Sequence, residues 1–115
     1  MEIKTIVFWV LMAAFIIPNL IFGYQKLIGQ KQKAEQFNRF GYPLWFMRII
    51  GLAEIIGCFL LLIHETRNIG VIIFAIIFAG AIYTHIKQKD PKKETMAPVI
   101  VLIHLLAIFL FTIWV

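Results

Sequence analysis

Four long apolar runs occupy most of this 115-residue chain, and the short gaps between them hold nearly all of its charge. Each run has about the 20 residues that an α-helix needs to cross a hydrocarbon core of about 30 Å. Hydrophobic residues make up 62% of the chain, far above the ~45–50% of a soluble domain. A soluble fold of this length could not bury so much apolar surface, so the chain is suited to a lipid environment. The runs are residues 3–24, 43–63, 69–86 and 96–115.

These runs predict an all-α membrane protein, an antiparallel bundle of four transmembrane helices that forms one domain over residues 1–115. The connection His64 to Asn68 is tight, which makes the second and third helices antiparallel neighbours. The first run is too long for the apolar region of a signal peptide, and no small-x-small cleavage site closes it. It is therefore interpreted as a retained helix, kinked near its end by Pro18.

The polar gap from Gln25 to Tyr42 allows two interpretations. Phe37 and Phe40 stand three residues apart and, with Leu27 and Ile28, suggest a short amphipathic segment on the membrane surface. The gap is equally consistent with an ordinary solvated loop.

The basic residues predict one orientation in the membrane. Eight lysines and arginines lie in the gaps after the first and third helices, against two on the opposite side. By the positive-inside rule the gaps 25–42 and 87–95 are cytoplasmic, and both termini lie outside. We expect an integral inner or plasma membrane protein in contact with the bilayer. Lysines placed between apolar runs serve as topology signals and lipid contacts, and they do not indicate nucleic-acid binding.

Glu54 lies near the centre of the second run, where an ionisable group costs at least ~2.5 kcal/mol and marks a functional site by default. Gly51 and Gly57 stand three residues on either side of it and share its helix face. Glycine lets a neighbouring helix approach closely, so this face is expected to pack against protein. One interpretation is a ligand or proton site. The other is a protonated carboxyl that hydrogen-bonds a neighbour and fixes helix packing.

Polar side chains concentrate in the half of the predicted bundle next to the basic gaps, which predicts a polar pocket open to that side and closed near Glu54. A partner for Glu54 is expected from another helix. The candidates for that partner are Lys26, His85 and His104. The candidate pocket residues are Glu54, Lys26, His85, Arg48, His104, Asn19 and Tyr83. Simpler roles remain open, because Arg48 can reach lipid phosphates and either histidine can serve as a structural hydrogen-bonding group.

Several chemistries find no support in the sequence. The single cysteine, Cys58, lies inside an apolar run, which excludes an internal disulfide and a self-contained dithiol centre. The chain contains no serine, so a serine nucleophile is excluded. No metal-ligand motif, phosphate loop, dinucleotide fingerprint or haem-attachment motif occurs. The sequence therefore predicts no metal site and no evident cofactor.

Three motifs in order resemble the DoxX-like family of small membrane proteins. They are G-x-x-K-L at 23–27, G-x-x-E-x-x-G at 51–57 and A-x-x-x-H at 81–85. The resemblance covers essentially the whole chain and implies the same four-helix fold. It carries over Lys26, Glu54 and His85 as shared polar positions, and it adds Gly23 to the expected packing glycines.

The resemblance implies no particular reaction. The founding name of the family belongs to a subunit linked to thiosulfate:quinone oxidoreductase, and relatives are associated with thiol and oxidative-stress systems. Most members have no assigned activity. The lone Cys58 departs from what a thiol-exchange enzyme needs.

Two functions follow as hypotheses. The first is an accessory protein that acts as a partner or assembly subunit of a membrane complex, without independent enzymatic activity. The alternative is a quinone- or lipid-linked redox component in which Glu54 and His85 exchange protons and Lys26 or Arg48 holds an anion. A small proton-coupled carrier is a weaker third hypothesis, since the chain has no discontinuous repeat. Homo-oligomerisation through a glycine face stays open.

Overall fold

The computed structural model describes residues 2–114, which form helices joined by turns and short links, without strands. The helices are α1 (Ile3–Leu27), α2 (Lys31–Arg39), α3 (Leu44–Leu62), α4 (Arg67–Lys87) and α5 (Lys92–Trp114), with a short 3₁₀ turn at His64–Thr66 before α4. All of these helices except α2 are long and apolar enough to cross a membrane. The predicted fold class, an all-α membrane protein with four membrane-spanning helices, is confirmed.

Three of the spanning helices are longer than the apolar runs suggest. α1 continues to Leu27, three residues past the end of its run, and α5 begins at Lys92, four residues before its run. α4 begins at Arg67, two residues before its run, and ends at Lys87, one residue past it. The carbonyl of Pro91 accepts hydrogen bonds from the N–H groups of Glu94 and Thr95, which starts α5 within the charged segment. Hydropathy marks the part of a helix that lies in lipid, whereas lysine and glutamate continue a helix readily in water.

The gap between the first two spans contains a helix and not an irregular loop. α2 has nine residues, none of them fully buried. At its end the rings of Phe37, Phe40 and Tyr42 form a cluster with centroid separations of 6.1–6.4 Å. A helix with an aromatic cluster favours the amphipathic interpretation of this segment.

Three helices end in the same backbone turn, in which one residue takes a left-handed conformation and the next N–H reaches back across the last turn. The left-handed residue is Gly29 after α1 (φ 74°), Gly41 after α2 (φ 86°) and Lys89 after α4 (φ 56°). Glycine accepts this conformation freely, whereas a side chain there costs about 1–2 kcal/mol. After α4 the turn directs the N–H of Asp90 to the carbonyl of His85, 3.0 Å away.

The internal contacts divide the chain into two compact units. The central unit is Pro18–Ile73, and the terminal unit comprises the residues up to Ile17 and from Phe74 onward. Both α1 and α4 contribute to both units. A single domain over residues 1–115 stays a prediction.

The terminal unit has an aromatic core. The ring of Phe15 meets Phe74 edge-to-face at 5.0 Å and His104 at 5.5 Å, and Phe74 stacks on Phe78 at 5.8 Å. His104 Nε2 donates a hydrogen bond to the carbonyl of Leu11, 2.9 Å away. The polar ring of His104 thus lies among apolar rings and has its hydrogen-bond partner on another helix, α1.

In the central unit α3 approaches α1 and α4 through glycines. A Cβ atom placed on Gly51 would lie 2.6 Å from the carbonyl oxygen of Gly23 and 2.7 Å from the backbone nitrogen of Leu27. A Cβ on Gly70 of α4 would lie 3.0 Å from the carbonyl oxygen of Gly57. Both contacts join backbone to backbone, so no side-chain rearrangement can make room for a larger residue.

We expect Gly51→Ala to destabilise the protein by about 1–3 kcal/mol, as other overpacking substitutions do. Its methyl group would separate α1 from α3. The measurement is the free energy of unfolding in detergent micelles, followed by circular dichroism.

Gly80→Ala is the matched control, because Gly80 is also a mid-helix glycine and a Cβ there would meet nothing within 4 Å. We expect it to leave stability unchanged or to raise it by about 0.5–1 kcal/mol through better helix propensity. Equal effects of the two substitutions would show that the α1–α3 contact does not depend on glycine.

Candidate functional site

The candidate site is centred on Glu54, which is only 1% exposed. Gly51, Glu54 and Gly57 lie on the buried face of α3, as their spacing of three requires. Gly23 of α1 faces them, and a Cβ on Gly23 would lie 3.2 Å from the Cβ of Glu54. Because Lys26 follows Gly23 by three residues, nearly one helical turn, the close approach of α1 also carries the lysine to Glu54.

Lys26 and Glu54 form an ion pair between the lysine Nζ and the carboxylate Oε1. The side chain of Glu54 is 2% exposed and that of Lys26 is 18% exposed. Lys26 is one of the three candidate partners that the sequence offers. An isolated charge in a low-dielectric interior costs far more than a paired one, so the pair makes this buried carboxylate tolerable.

Helix α2 adds a second layer to the site. The Nζ of Lys26 lies 5.9 Å from the ring centroid of Phe37, and the Nζ of Lys33 lies 4.7 Å from that of Phe22. Both distances are within the ~6 Å range of cation–π attraction. Two lysines therefore accompany one carboxylate, which leaves this cluster with a net positive charge.

The electrostatics of Lys33 reflect this excess. Partial burial of its ammonium lowers the pKa of Lys33 from 10.5, and the nearby charge of Lys26 lowers the pKa further, while Glu54 acts in the opposite direction. Removal of the ammonium from water has the larger effect on this pKa, and repulsion from Lys26 has the smaller.

Two further sequence candidates lie in the central unit. Asn19 is buried on α1, and the spacing of Asn19, Gly23 and Lys26 places them on one helix face. Arg48 is exposed, and its guanidinium lies beside the turn after α1: a Cβ on Gly29 would be 3.0 Å from one of its terminal nitrogens. The structure thus brings Lys26 to Glu54, while the guanidinium of Arg48 contacts the adjacent turn.

The other three candidates belong to the terminal unit. His85 Nδ1 lies 2.6 Å from Asp90 Oδ2 in the turn between α4 and α5. His104 is hydrogen-bonded to the backbone of α1, as described above, and Tyr83 is exposed.

Sequence inspection missed two polar groups of the central unit. In the sequence Lys33 is one of several lysines in a polar gap, although it follows Lys26 by seven residues. Arg67 belongs to the short polar connection between two apolar runs, yet it is buried, and its Nε donates to the carbonyl of Leu61 at 2.7 Å. It thereby supplies a donor to the last turn of α3, which lacks intrahelical partners for its carbonyls. Only a three-dimensional structure reveals that Arg67, the first residue of α4, reaches back to α3.

Comparison with known proteins gives one family and no individual relative. A model of the DoxX-like family matches residues 7–109, which include the three motifs at 23–27, 51–57 and 81–85. No curated protein and no solved structure matches the chain.

Two single substitutions should move the pKa of Lys33 in opposite directions. Lys26→Met removes a positive neighbour and should raise it, whereas Glu54→Gln removes a negative neighbour and should lower it. The measurement is a pH titration of the lysine side chains by NMR, after ¹³C-methylation, of the protein in micelles.

The lowered pKa of Lys33 also determines how this residue makes the free energy of unfolding depend on pH. Because the folded-state pKa of Lys33 lies below 10.5, the unfolded chain binds more protons between those two values. The contribution of Lys33 to the free energy of unfolding therefore rises with pH across that window. If Lys26→Met and Glu54→Gln moved the pKa of Lys33 in the same direction, the arrangement of these three charges would be contradicted.

Proposed function

The chain belongs to the DoxX-like family, and we propose that it is an accessory subunit of a membrane complex without independent enzymatic activity. The observation that carries this proposal is the buried Lys26–Glu54 ion pair at a glycine contact between α1 and α3. A carboxylate held in this way acts as a fixed structural element.

The surroundings of the pair favour a fixed role. The backbones of Gly23 and Gly51 are in contact, so α1 cannot move away from α3 without disrupting the helix interface. Breaking a buried pair by removing one partner is strongly destabilising, and such pairs serve to select one register of packing in some proteins. Here the pair would select the register of α1 against α3.

Positive side chains beside the pair, among them the exposed Arg48, offer a charged surface that a partner can use. We propose that Glu54 forms the inner end of a small polar pocket, with Lys26 toward the basic-loop side and Asn19 on the same face of α1. Lys33 and Arg48 supply positive charge near its outer side. A partner subunit with an acidic group at head-group depth would match this charge.

The alternative, a quinone- or lipid-linked redox component, uses Glu54 and His85 for proton exchange. A carboxylate that exchanges protons with a quinone has to come within hydrogen-bond reach of its head group, whereas the side chain of Glu54 is 2% exposed and already paired. The ion pair with Lys26 and the glycine contact around it therefore favour the accessory role over the redox role.

For the topology we propose that the loops 25–42 and 87–95 face the cytoplasm and that both termini lie outside, in the inner or plasma membrane. The support is the concentration of lysine and arginine on that side. α2 contributes Lys31, Lys33 and Arg39 to it.

A double-mutant cycle tests the fixed pair. Glu54→Gln and Lys26→Met should each lower the free energy of unfolding by about 3–5 kcal/mol, because each leaves one buried charge without its partner. The double variant should recover most of the loss. The measurement is unfolding in micelles, together with co-purification of partner subunits from native membranes after mild crosslinking.

A quinone titration of the protein in lipid nanodiscs separates the two functions. The accessory role predicts no saturable binding, and it predicts a partner complex that survives in the double variant and weakens in each single one. Saturable quinone binding that Glu54→Gln weakens while the fold stays intact would overturn the proposal in favour of the redox alternative.

Cysteine labelling tests the topology in a Cys58→Ala background. Gln32 in α2 and Glu65 in the α3–α4 turn are both exposed, so each can be replaced by a single cysteine. A membrane-impermeant maleimide should label position 65 in intact cells and position 32 only after lysis. The reverse pattern would invert the orientation.

A further inference from the structure

The turn between α4 and α5 brings three metal-ligating side chains together. His85 lies in the last turn of α4, Asp90 in the link, and Glu94 in the first turn of α5. Their ligand atoms all lie within 4.8 Å of one another. His85 Nδ1 and Asp90 Oδ2 lie 2.6 Å apart.

The backbone explains why residues five and nine positions apart converge. Lys89 adopts a left-handed conformation, which turns the chain so that the Asp90 N–H reaches the carbonyl of His85. One residue later the carbonyl of Pro91 accepts the N–H of Glu94 at 2.9 Å and begins α5. The three side chains are therefore supported by two helix ends and a hydrogen-bonded turn, which is the kind of rigid support that a binding site needs.

Two of the three groups are largely removed from water. The side chain of Asp90 is 4% exposed and that of His85 is 13% exposed, whereas Glu94 is exposed. The first two form the buried part of a site, and Glu94 can adjust its side chain to complete it.

The donor set points to a particular class of ligand. One imidazole nitrogen with two carboxylate oxygens is a combination that zinc and related first-row metals accept, with further positions left for water. We propose that His85, Asp90 and Glu94 form a binding site for a first-row divalent metal ion such as Zn²⁺. A neutral imidazole and two ionised carboxylates would carry two negative charges, which such an ion neutralises.

Binding an ion requires the side chains to adjust. Ligand atoms at ~2.1 Å from a tetrahedral ion lie ~3.4 Å from one another. The widest separation in the cluster, at most 4.8 Å, would close by up to ~1.4 Å, and the 2.6 Å between His85 Nδ1 and Asp90 Oδ2 would open by ~0.8 Å. Rotation of the exposed Glu94 side chain supplies the first movement, and the second replaces the hydrogen bond between His85 and Asp90 by two bonds to the ion.

Neighbouring lysines oppose cation binding and limit its strength. Four lysines lie within or beside the cluster in sequence, Lys87, Lys89, Lys92 and Lys93, and all four are exposed. Solvent and salt screen exposed charges, while the buried carboxylate of Asp90 is screened much less. The ligand oxygens therefore dominate at the position of the ion.

This site is separate from the proposed function, because its residues lie in the terminal unit and Glu54 lies in the central unit. The sequence predicted no metal site, since no histidine pair has ligand spacing. The three side chains converge because Lys89 adopts a left-handed conformation, which no sequence motif indicates.

The test uses the full chain in lipid nanodiscs, purified without a histidine tag and treated with a chelator. Zn²⁺ is titrated by calorimetry, and Co²⁺ serves as a spectroscopic probe through its d–d absorption. We expect one ion per chain and displacement of Co²⁺ by Zn²⁺.

Glu94→Gln is the decisive variant, because Glu94 is exposed and its replacement leaves the fold intact. It should weaken Zn²⁺ binding at least ~10-fold, as loss of a ligand costs no less than loss of a supporting contact. Asp90→Asn should abolish the Co²⁺ spectrum. The matched control is His64→Gln with Glu65→Gln, which removes the same residue types from the exposed α3–α4 turn and should leave affinity unchanged.

Absence of stoichiometric binding would overturn the proposal. So would binding that is as strong in Glu94→Gln as in the control, because the ion would then be held elsewhere. Neither outcome bears on the Lys26–Glu54 pair, which the double-mutant cycle tests separately.

Discussion

The central unit depends on the need to neutralise one carboxylate inside the membrane. Glu54 is expensive in hydrocarbon unless a positive charge meets it, and Lys26 at the end of α1 supplies that charge. The lysine reaches Glu54 because α1 and α3 approach until their backbones touch. Gly23 and Gly51 make this approach sterically feasible, since any side chain at Gly51 would collide with the backbone of α1. The ion pair therefore depends on the glycine contact, because Lys26 reaches Glu54 only where α1 and α3 approach closely.

Backbone groups at the helix ends also need hydrogen-bond partners. A membrane offers no water to unpaired backbone groups, so polar side chains near each end must serve the backbone. Arg67 and Thr66 donate to the carbonyls of Leu61 and Leu60 at the end of α3. In the terminal unit His104 donates to the carbonyl of Leu11, within α1. Several side chains that the sequence marks as candidate ligands thus have partners within the protein, among them Glu54, Lys26, His85 and His104.

Residues 2–114 include two polar centres of opposite character. The cluster around Lys26 and Lys33 carries excess positive charge and suits an acidic group of a partner. The turn around His85 and Asp90 gathers carboxylates and suits a cation. They belong to different units, so they can be tested independently.

The sequence alone determined the four spans and the face of α3 that packs against protein. Both follow from local rules, because apolar length sets the spans and a spacing of three places Gly51, Glu54 and Gly57 together. It could not choose among Lys26, His85 and His104 as the partner of Glu54, because that choice depends on the register of one helix against another. Nor could it show that Arg67 binds α3 or that Asp90 folds back onto His85. The first contact joins residues of two helices. The second depends on a left-handed lysine whose conformation local propensity does not favour, so only the tertiary structure decided it.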